Sequence, residues 1–250
     1  MKRLFLVLTL GSLVLAVTPA ALAQSPGYDL FQTGSGTSVN LGGTIGTVNL
    51  QGVPILTSIG NTDTIINRTQ SGPGTVNVNV YALFMVSTSP VTYSGKSADV
   101  YVTINNTAGF VSTTTLPQPD ALSPSTGTVT ISSGGTFNSS LTVNADVIFV
   151  THGASVTSSA NWLGHTTAPS TSLSTTNSTW STSPPAGYPS NASLPSGGFY
   201  PTGINGGHTS PTHVHAVVPA QCPPSGSVVE ASKKATGAVN KPVVTCVVAE

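Results

Sequence analysis

The sequence predicts an all-β fold, an antiparallel β-sandwich of about seven or eight strands. Thr, Val, Asn, Gly and Pro dominate the chain, and β-branched residues are typical of strands. Short apolar runs alternate with Gly- and Pro-rich turns at the spacing found in sandwiches. After the first 23 residues, no stretch of ten or more residues has a convincing helical period. These patterns favour strands over helices.

The chain is poor in charge, which excludes two classes of protein. Its 250 residues include 7 Lys or Arg and 7 Asp or Glu, about 6% charged, against about a quarter in an average globular protein. Thr and Ser, 37 and 33 residues, supply the polar surface instead. Seven scattered basic residues cannot form the patch that nucleic-acid binding needs. A hydrophobic content of 38% with a net charge near zero excludes a disordered polyelectrolyte.

The first 23 residues have the pattern of a secretory signal peptide. Lys2 and Arg3 precede an apolar run over 4–17, and Ala21 and Ala23 lie at the −3 and −1 positions of a cleavage site. The run is shorter than the roughly 20 residues that a membrane span needs. We therefore expect residues 1–23 to be removed, leaving an exported chain without a membrane span. The expected location is secreted, periplasmic or at the cell surface.

Residues 24–151 are predicted to form the β-sandwich domain. Valine and asparagine alternate over 75–80, which puts valine on a buried face and asparagine on a wet one. The apolar run over 81–86 continues that strand, and we expect it to be covered on both faces. Residues 128–131 and 136–143 flank the pair Gly134-Gly135, which predicts a hairpin.

The triplet Ala-Asp-Val occurs twice, at 98–100 and at 145–147, each time within a strand pattern. Asp99 and Asp146 could be the acid and base of a glycosidase, which uses two carboxylates. We favour the interpretation that both are surface or strand-edge residues that supply solubility. Asp63, in a loop of oxygen-bearing side chains, is either a calcium ligand or a turn residue.

Residues 152–212 are predicted to be a low-complexity, irregular segment. Ser, Thr, Pro, Gly and Asn dominate it, a composition typical of linkers. Its isolated aromatic residues indicate that parts of it lie against the sandwich. Trp162, Trp180 and Tyr188 also raise the hypothesis of carbohydrate binding, because aromatic rings stack on sugars, but they could equally anchor loops.

Residues 213–250 are predicted to be a small C-terminal piece of strands. Cys222 and Cys246 are the two cysteines of the chain, and in an exported protein the default interpretation is a disulfide. It would close a loop of about 25 residues and contribute about 3 kcal/mol by the chain-entropy model.

All five histidines lie in a stretch, 147–229, that has no Asp, Glu, Lys or Arg. They are His152, His165, His208, His213 and His215. If 213–215 is a strand, His213 and His215 project from one face and could share a metal ion, with His208 as a third ligand. The hypothesis is a Zn or Cu site with imidazole ligands, and solvated loop histidines are the alternative. Otherwise we expect no cofactor.

Three stretches near the expected mature N-terminus form a signature. They read Tyr-Asp-Leu-Phe-Gln-Thr-Gly-Ser-Gly-Thr at 28–37, Gln-Gly-Val-Pro-Ile at 51–55 and Gly-Asn-Thr-Asp-Thr-Ile at 60–65. In these stretches the chain resembles an uncharacterised group of exported bacterial proteins. The resemblance implies export and lends no active site.

The sequence favours a non-enzymatic function. It contains no G-x-S-x-G elbow and no H-E-x-x-H helix, so we predict no catalytic residues. We predict a secreted β-sandwich protein of the cell envelope or extracellular matrix that makes protein–protein or self-association contacts. Sheet edges that lack Lys and Glu pair easily, which favours contacts with other copies or with envelope proteins. The alternatives are a secreted metal-binding protein and a carbohydrate-binding module.

Overall fold

A computed structural model of the chain describes residues 24–34, 36–104, 124–167, 171–203, 206–208, 213–214 and 217–219. The expected signal peptide, His215, Cys222, Cys246 and most of the expected C-terminal piece lie outside these residues. The predictions for those parts of the chain therefore stay predictions.

The described chain is all-β, as the sequence predicts, and every strand pairing is antiparallel. Its strands are β1 (Gly27–Thr33), β2 (Ser38–Asn40), β3 (Thr47–Gly52), β4 (Thr64–Arg68), β5 (Gly74–Ser87), β6 (Val91–Tyr93), β7 (Lys96–Thr103), β8 (Thr126–Ile131), β9 (Thr136–Val143), β10 (Asp146–Thr151), β11 (Trp162–Thr167), β12 (Thr171–Ser181), β13 (Tyr200–Gly203), β14 (Gly206–His208), β15 (His213–Val214) and β16 (Val217–Pro219). The helical residues among those described form two short 3-10 turns, Thr57–Ile59 and Ser159–Asn161. These strands outnumber the seven or eight expected, because several have only two to four residues and show no alternating pattern.

The strands join into one hydrogen-bonded sheet. Its longest path runs β11-β10-β7-β5-β8-β9-β12-β13. β3 and β4 branch from β5, β2 follows β3, and β1 follows β4. Short strands complete the edges: β6 pairs with β7, β14 with β12, β15 with β2, and β16 with β1. The predicted hairpin around Gly134-Gly135 is confirmed as β8 and β9.

The long strand β5 pairs with four other strands of the sheet. Val76, Val78 and Val80 are buried while Asn77 is exposed, which confirms the predicted alternation. The strand pairs with β8 over its first part, with β4 in the middle, and with β3 and β7 over its last part. From Ala82 to its end every residue is buried, so this part is covered on both faces, as expected.

Two hydrophobic cores lie against the sheet. The first takes its residues from most of the long strands, among them Val78, Val100, Val129, Phe137, Val147 and Phe149. The second uses the opposite faces of β5, β7 and β10, and loop residues close over it. Its members include Ile55, Ile59, Tyr101, Ile148, Val156 and Leu194. Loops whose sequences are typical of polar turns therefore contribute apolar side chains to the second core and shield it from solvent.

The range 152–212 is more regular than its composition indicates. The expected irregular structure does not extend to β11, β12, β13 and β14, whereas the described residues 182–199 form no strand. β12 is an eleven-residue strand rich in Ser and Thr. Its side chains have no hydrophobic period, but its backbone forms a ladder with β9 over most of its length. Pairing with a neighbour, which composition does not reveal, decides its structure.

The irregular residues 182–199 cover one edge of β1. Tyr28 N donates to Pro195 O at 2.9 Å, in the position that a neighbouring strand would occupy. A Cβ on Gly27 would lie 2.4 Å from the Ser196 carbonyl carbon, so only glycine lets the two backbones approach so closely. A covered edge cannot pair with another chain, and the segment therefore protects β1.

A buried arginine fixes this segment to the sheet. Arg68 Nε lies 3.1 and 3.2 Å from the two Asp29 carboxylate oxygens. Its Nη1 donates to Ser25 O at 3.0 Å, and its Nη2 donates to Ser196 O. The guanidinium carbon lies 4.7 Å from the centroid of the Phe199 ring. The fully buried Arg68 thus finds a carboxylate, two carbonyl oxygens and an aromatic face around it.

Replacing Arg68 with methionine is expected to lower the free energy of unfolding by about 3–5 kcal/mol. The change leaves the Asp29 carboxylate buried without its cation and removes the donors to Ser25 and Ser196. Urea unfolding followed by circular dichroism measures the effect. Lys96→Met, at the exposed start of β7, is the control and should stay within about 0.5 kcal/mol of wild type. Equal stability of the two variants would contradict the role of the Arg68 cluster.

Candidate functional site

The described residues keep almost all of their formal charge inside the protein. Arg68 is fully buried, and the four aspartates are at most 5% exposed: Asp29, Asp63, Asp99 and Asp146. Of all Lys, Arg, Asp and Glu side chains in the described ranges, Lys96 alone is exposed. The interpretation of Asp99 and Asp146 as solubilising surface residues is therefore wrong. Both are buried because each has a polar partner inside the fold, and the described surface is nearly uncharged.

Asp99 forms the first of two aspartate–histidine pairs. It lies on β7 opposite Val150 of β10, so His152, two residues beyond Val150, is its diagonal neighbour on the same face. His152 Nδ1 lies 2.8 Å from Asp99 Oδ1, and Gly153 N donates to Asp99 Oδ2 at 2.9 Å. The His152 side chain is 38% exposed. A carboxylate thus holds one ring nitrogen of a partly exposed imidazole, an arrangement that orients histidine for proton transfer or metal binding.

Asp146 and His165 form the second, looser pair, also between diagonal neighbours. His165 on β11 lies opposite Ile148 of β10, two residues from Asp146. Its Nε2 lies 3.4 Å from Asp146 Oδ1, and its side chain is 31% exposed. The Trp162 ring centroid is 6.2 Å from that of the imidazole. The last strand on this side of the sheet therefore carries a partly exposed imidazole backed by a buried carboxylate.

The two pairs lie on one face of the sheet but at opposite ends of β7 and β10. Asp146 is four residues from Val150, the partner of Asp99, which corresponds to about 13 Å along the strand. Glycosidases hold their two carboxyl groups about 5–9.5 Å apart. The structure therefore does not bring Asp99 and Asp146 together as the acid and base of one reaction.

Asp63 is buried among hydroxyl and amide donors. Thr33 N donates to its Oδ2 at 2.7 Å, and the hydroxyls of Thr33 and Thr64 lie 2.8 Å from its Oδ1. Burial raises the pKa of Asp63 to about 7, although these hydrogen bonds act in the opposite direction. A Cβ on Gly52 would lie 1.6 Å from Oδ2, so β3 approaches the carboxyl closely. Asp63 therefore links β1, β3 and β4 and is not an exposed turn residue.

The aromatic residues considered for sugar stacking are held as anchors. Trp162 Nε1 donates to Val156 O at 2.8 Å, and the Trp180 ring stacks on Phe199 with centroids 5.2 Å apart. Tyr188 Oη accepts a hydrogen bond of 3.1 Å from the Leu30 backbone amide in β1. Burial raises the pKa of Tyr188 above its usual range. These contacts agree with the loop-anchor interpretation.

Two of the three histidines proposed as metal ligands lie on short strands. His208 ends β14 and is paired with Leu173, while His213 begins β15 and is paired with Val39. β14 and β15 contact each other. No group of three or more His, Cys, Asp or Glu side chains able to hold a metal occurs in the described ranges. His215 lies outside them, so the three-histidine site stays a prediction.

Comparison with known proteins gives no information on the function. No family model, no curated protein and no solved structure matches the chain. In the part of the chain that the structure describes, no helix has the length and apolarity needed to cross a membrane.

Sequence reasoning missed the pairing of both aspartates with histidines. The signal that could have found them is the repeated Ala-Asp-Val triplet, because it places one aspartate on each of two strands. The pairing also requires β7 and β11 to lie on either side of β10, with a fixed register. Neither fact can be read from the spacing of the residues.

Protein stability is expected to fall as the pH rises from about 5 to about 8. In the fold Asp63 has a pKa of about 7, raised by burial from 3.8. The native state therefore binds more protons than the unfolded chain between about pH 4 and 7, so the free energy of unfolding decreases with pH in that window. The expected loss, measured by urea unfolding at each pH, is on the order of 2–4 kcal/mol.

Asp63→Asn tests whether Asp63 causes this pH dependence. The amide mimics a protonated carboxyl, because it accepts from Thr33 N and donates to a threonine hydroxyl. The variant should be more stable than wild type at pH 8, and its stability should depend less on pH in this window. Thr142→Ala, exposed on β9, is the control with a wild-type profile. An unchanged pH dependence in Asp63→Asn would assign the effect elsewhere.

Proposed function

We propose that the protein is exported and non-enzymatic, and that it acts by self-association at the cell envelope or in the extracellular matrix. The observation that supports this proposal is the nearly uncharged surface, on which Lys96 is the one exposed charged group among the described residues. Charged side chains, lysine above all, keep sheet edges from pairing with other chains. A surface with so little charge does not oppose contact between copies.

Two sequence features support export. The expected signal peptide over 1–23 predicts secretion, and so does the resemblance of the N-terminal signature to exported bacterial proteins. The proposed Cys222–Cys246 disulfide fits an oxidising compartment.

We also propose that the sheet folds over itself as a β-sandwich. The first core contains Val129 of β8, which pairs with the first part of β5, and Phe137 of β9, which pairs with β8. The same core contains Val100 of β7, which pairs with the last part of β5, and Val147 of β10, which pairs with β7. A core shared by strands from both parts of β5 supports two layers packed face to face.

The aspartate–histidine pairs support a structural role for this face. Each carboxylate is buried and contacts a histidine, His152 just after β10 or His165 in β11. Between the pairs, burial and the charge of Asp99 raise the pKa of Tyr101 to about 12. The pairs thus give each buried carboxylate a polar partner at a separate position, which does not require a shared substrate.

The mature chain is expected to associate reversibly. Analytical ultracentrifugation between about 10 µM and about 500 µM should show a sedimentation coefficient that rises with concentration, as expected for a dissociation constant in that range. Because the surface is nearly neutral, the association should change little between about 0.05 and 0.5 M NaCl. A strict monomer at the highest concentration would rule out self-association.

The second candidate function is metal binding. The observation in its favour is the contact between β14 and β15, which places His208 and His213 on neighbouring strands. Calorimetric titration with Cu(II) and Zn(II) should show binding that the double substitution His213→Ala/His215→Ala weakens at least about tenfold. Thr142→Ala, exposed on β9, is the control and should keep wild-type affinity. Equal, weak binding by all three proteins would eliminate the hypothesis.

A further inference from the structure

The first residue of the expected mature chain is a glutamine whose backbone is bonded into the fold. Gln24 follows the predicted cleavage site after Ala23, and it is 5% exposed. Its carbonyl oxygen accepts a hydrogen bond of 2.8 Å from Gly72 N. The next residue, Ser25, donates from its amide to Gly197 O at 3.0 Å. The expected N-terminus is therefore part of the packed structure.

The buried guanidinium of Arg68 lies close to this terminus. Arg68 Nη1 donates to Ser25 O at 3.0 Å, and two residues of chain place the Gln24 nitrogen within about 7 Å of that oxygen. The charge of Arg68 is already compensated by the Asp29 carboxylate. A cation at Gln24 would add like charge near the guanidinium, at a position where burial disfavours an ionised group. The structure thus favours a neutral N-terminal residue.

Cleavage after Ala23 creates an α-amino group at this position. Free α-amino groups titrate near neutral pH, so part of them is uncharged there and has a lone pair that can act as a nucleophile. The side-chain amide carbon of Gln24 belongs to the same residue, and attack on it closes an unstrained five-membered ring. Such intramolecular reactions are favoured because the reacting groups are held close together.

We propose that Gln24 of the exported chain cyclises to pyroglutamate. This inference rests on the proposed export and names a covalent modification that signal cleavage makes possible. The α-amino nitrogen attacks Cδ of its own side chain, so that the N–Cδ bond forms and the Cδ–Nε2 bond breaks. The α-amino group gives up one proton, and Nε2 leaves as ammonia. The reaction consumes no oxidant, reductant or second reactant.

The cyclised residue suits the position that the structure gives to Gln24. It keeps the backbone carbonyl that accepts from Gly72, and it is smaller than glutamine because it has lost ammonia. Its ring nitrogen has one hydrogen and no formal charge, whereas the open terminus is an ammonium group when protonated. Cyclisation therefore removes the charge that cleavage adds beside Arg68. The mature chain keeps the nearly uncharged surface on which the proposed self-association depends.

The mass of the exported chain tests the proposal. The full chain, without a tag at its N-terminus, is expressed in a bacterium that exports it, and the purified protein is kept at neutral pH for days. Intact-mass spectrometry should give the mass of residues 24–250 less one molecule of ammonia. Stepwise chemical degradation should give no N-terminal sequence, because a lactam has no free amine. The mass of 24–250 without loss of ammonia would overturn the cyclisation and leave export standing.

Gln24→Asn is the matched control. Its side chain is one methylene shorter, so attack by the α-amino group would require a strained four-membered ring. The exported variant should keep the mass of its open form, and degradation should read Asn-Ser-Pro. Equal loss of ammonia in the variant and in wild type would overturn the assignment to Gln24.

The same mass measurement separates this inference from the proposed function. A chain that keeps residues 1–23, or that begins at a residue other than Gln24, would overturn the cyclisation together with the predicted cleavage site. Self-association is measured independently by the concentration dependence of sedimentation. A strict monomer with a cyclised Gln24 would therefore support this inference and overturn only the proposed self-association.

Discussion

The contacts of the Arg68 guanidinium hold together parts of the chain that are far apart in sequence. It bonds to Asp29 of β1, to the carbonyls of Ser25 and Ser196, and lies over the Phe199 ring. A buried guanidinium is stable only when its donors are satisfied and a carboxylate compensates its charge. These requirements fix where the irregular residues 182–199 can lie, and that position covers β1. The coverage of β1 thus depends on one ionic cluster.

The same physical solution recurs for the other buried charges. Asp29 lies opposite Ile66, and Arg68 is two residues further along that strand. In the same way, His152 and His165 are each two residues from the residue opposite Asp99 and Asp146, respectively. Diagonal neighbours on adjacent antiparallel strands face the same side, so a long or aromatic side chain can reach a carboxylate there. Asp63 differs, because threonine hydroxyls and an amide surround it and its pKa rises to about 7. Carboxyl groups that other proteins expose are buried here against polar partners.

How much the sequence predicts depends on whether the deciding contacts are local. The alternation of valine and asparagine in β5 gives the strand and its buried face, and Gly134-Gly135 gives the β8–β9 hairpin, since both depend on neighbouring residues. β12 has no such pattern, and the ladder from β9 makes it a strand. The burial of Asp99 and Asp146 could not be predicted, because it requires the register of β7, β10 and β11. The low content of charged residues predicts self-association, but it does not predict which surface makes the contact.

Covering an edge and leaving it open have different consequences for assembly. A sheet without charged edge residues would pair indefinitely if two long edges were open, because each added copy would expose another. In the described part of this sheet, the residues around Pro195 and the strand β16 cover β1, and β13 and β14 pair with β12. The chain's own backbone therefore occupies these long edges. Assembly into an extended matrix would require contacts through other surfaces.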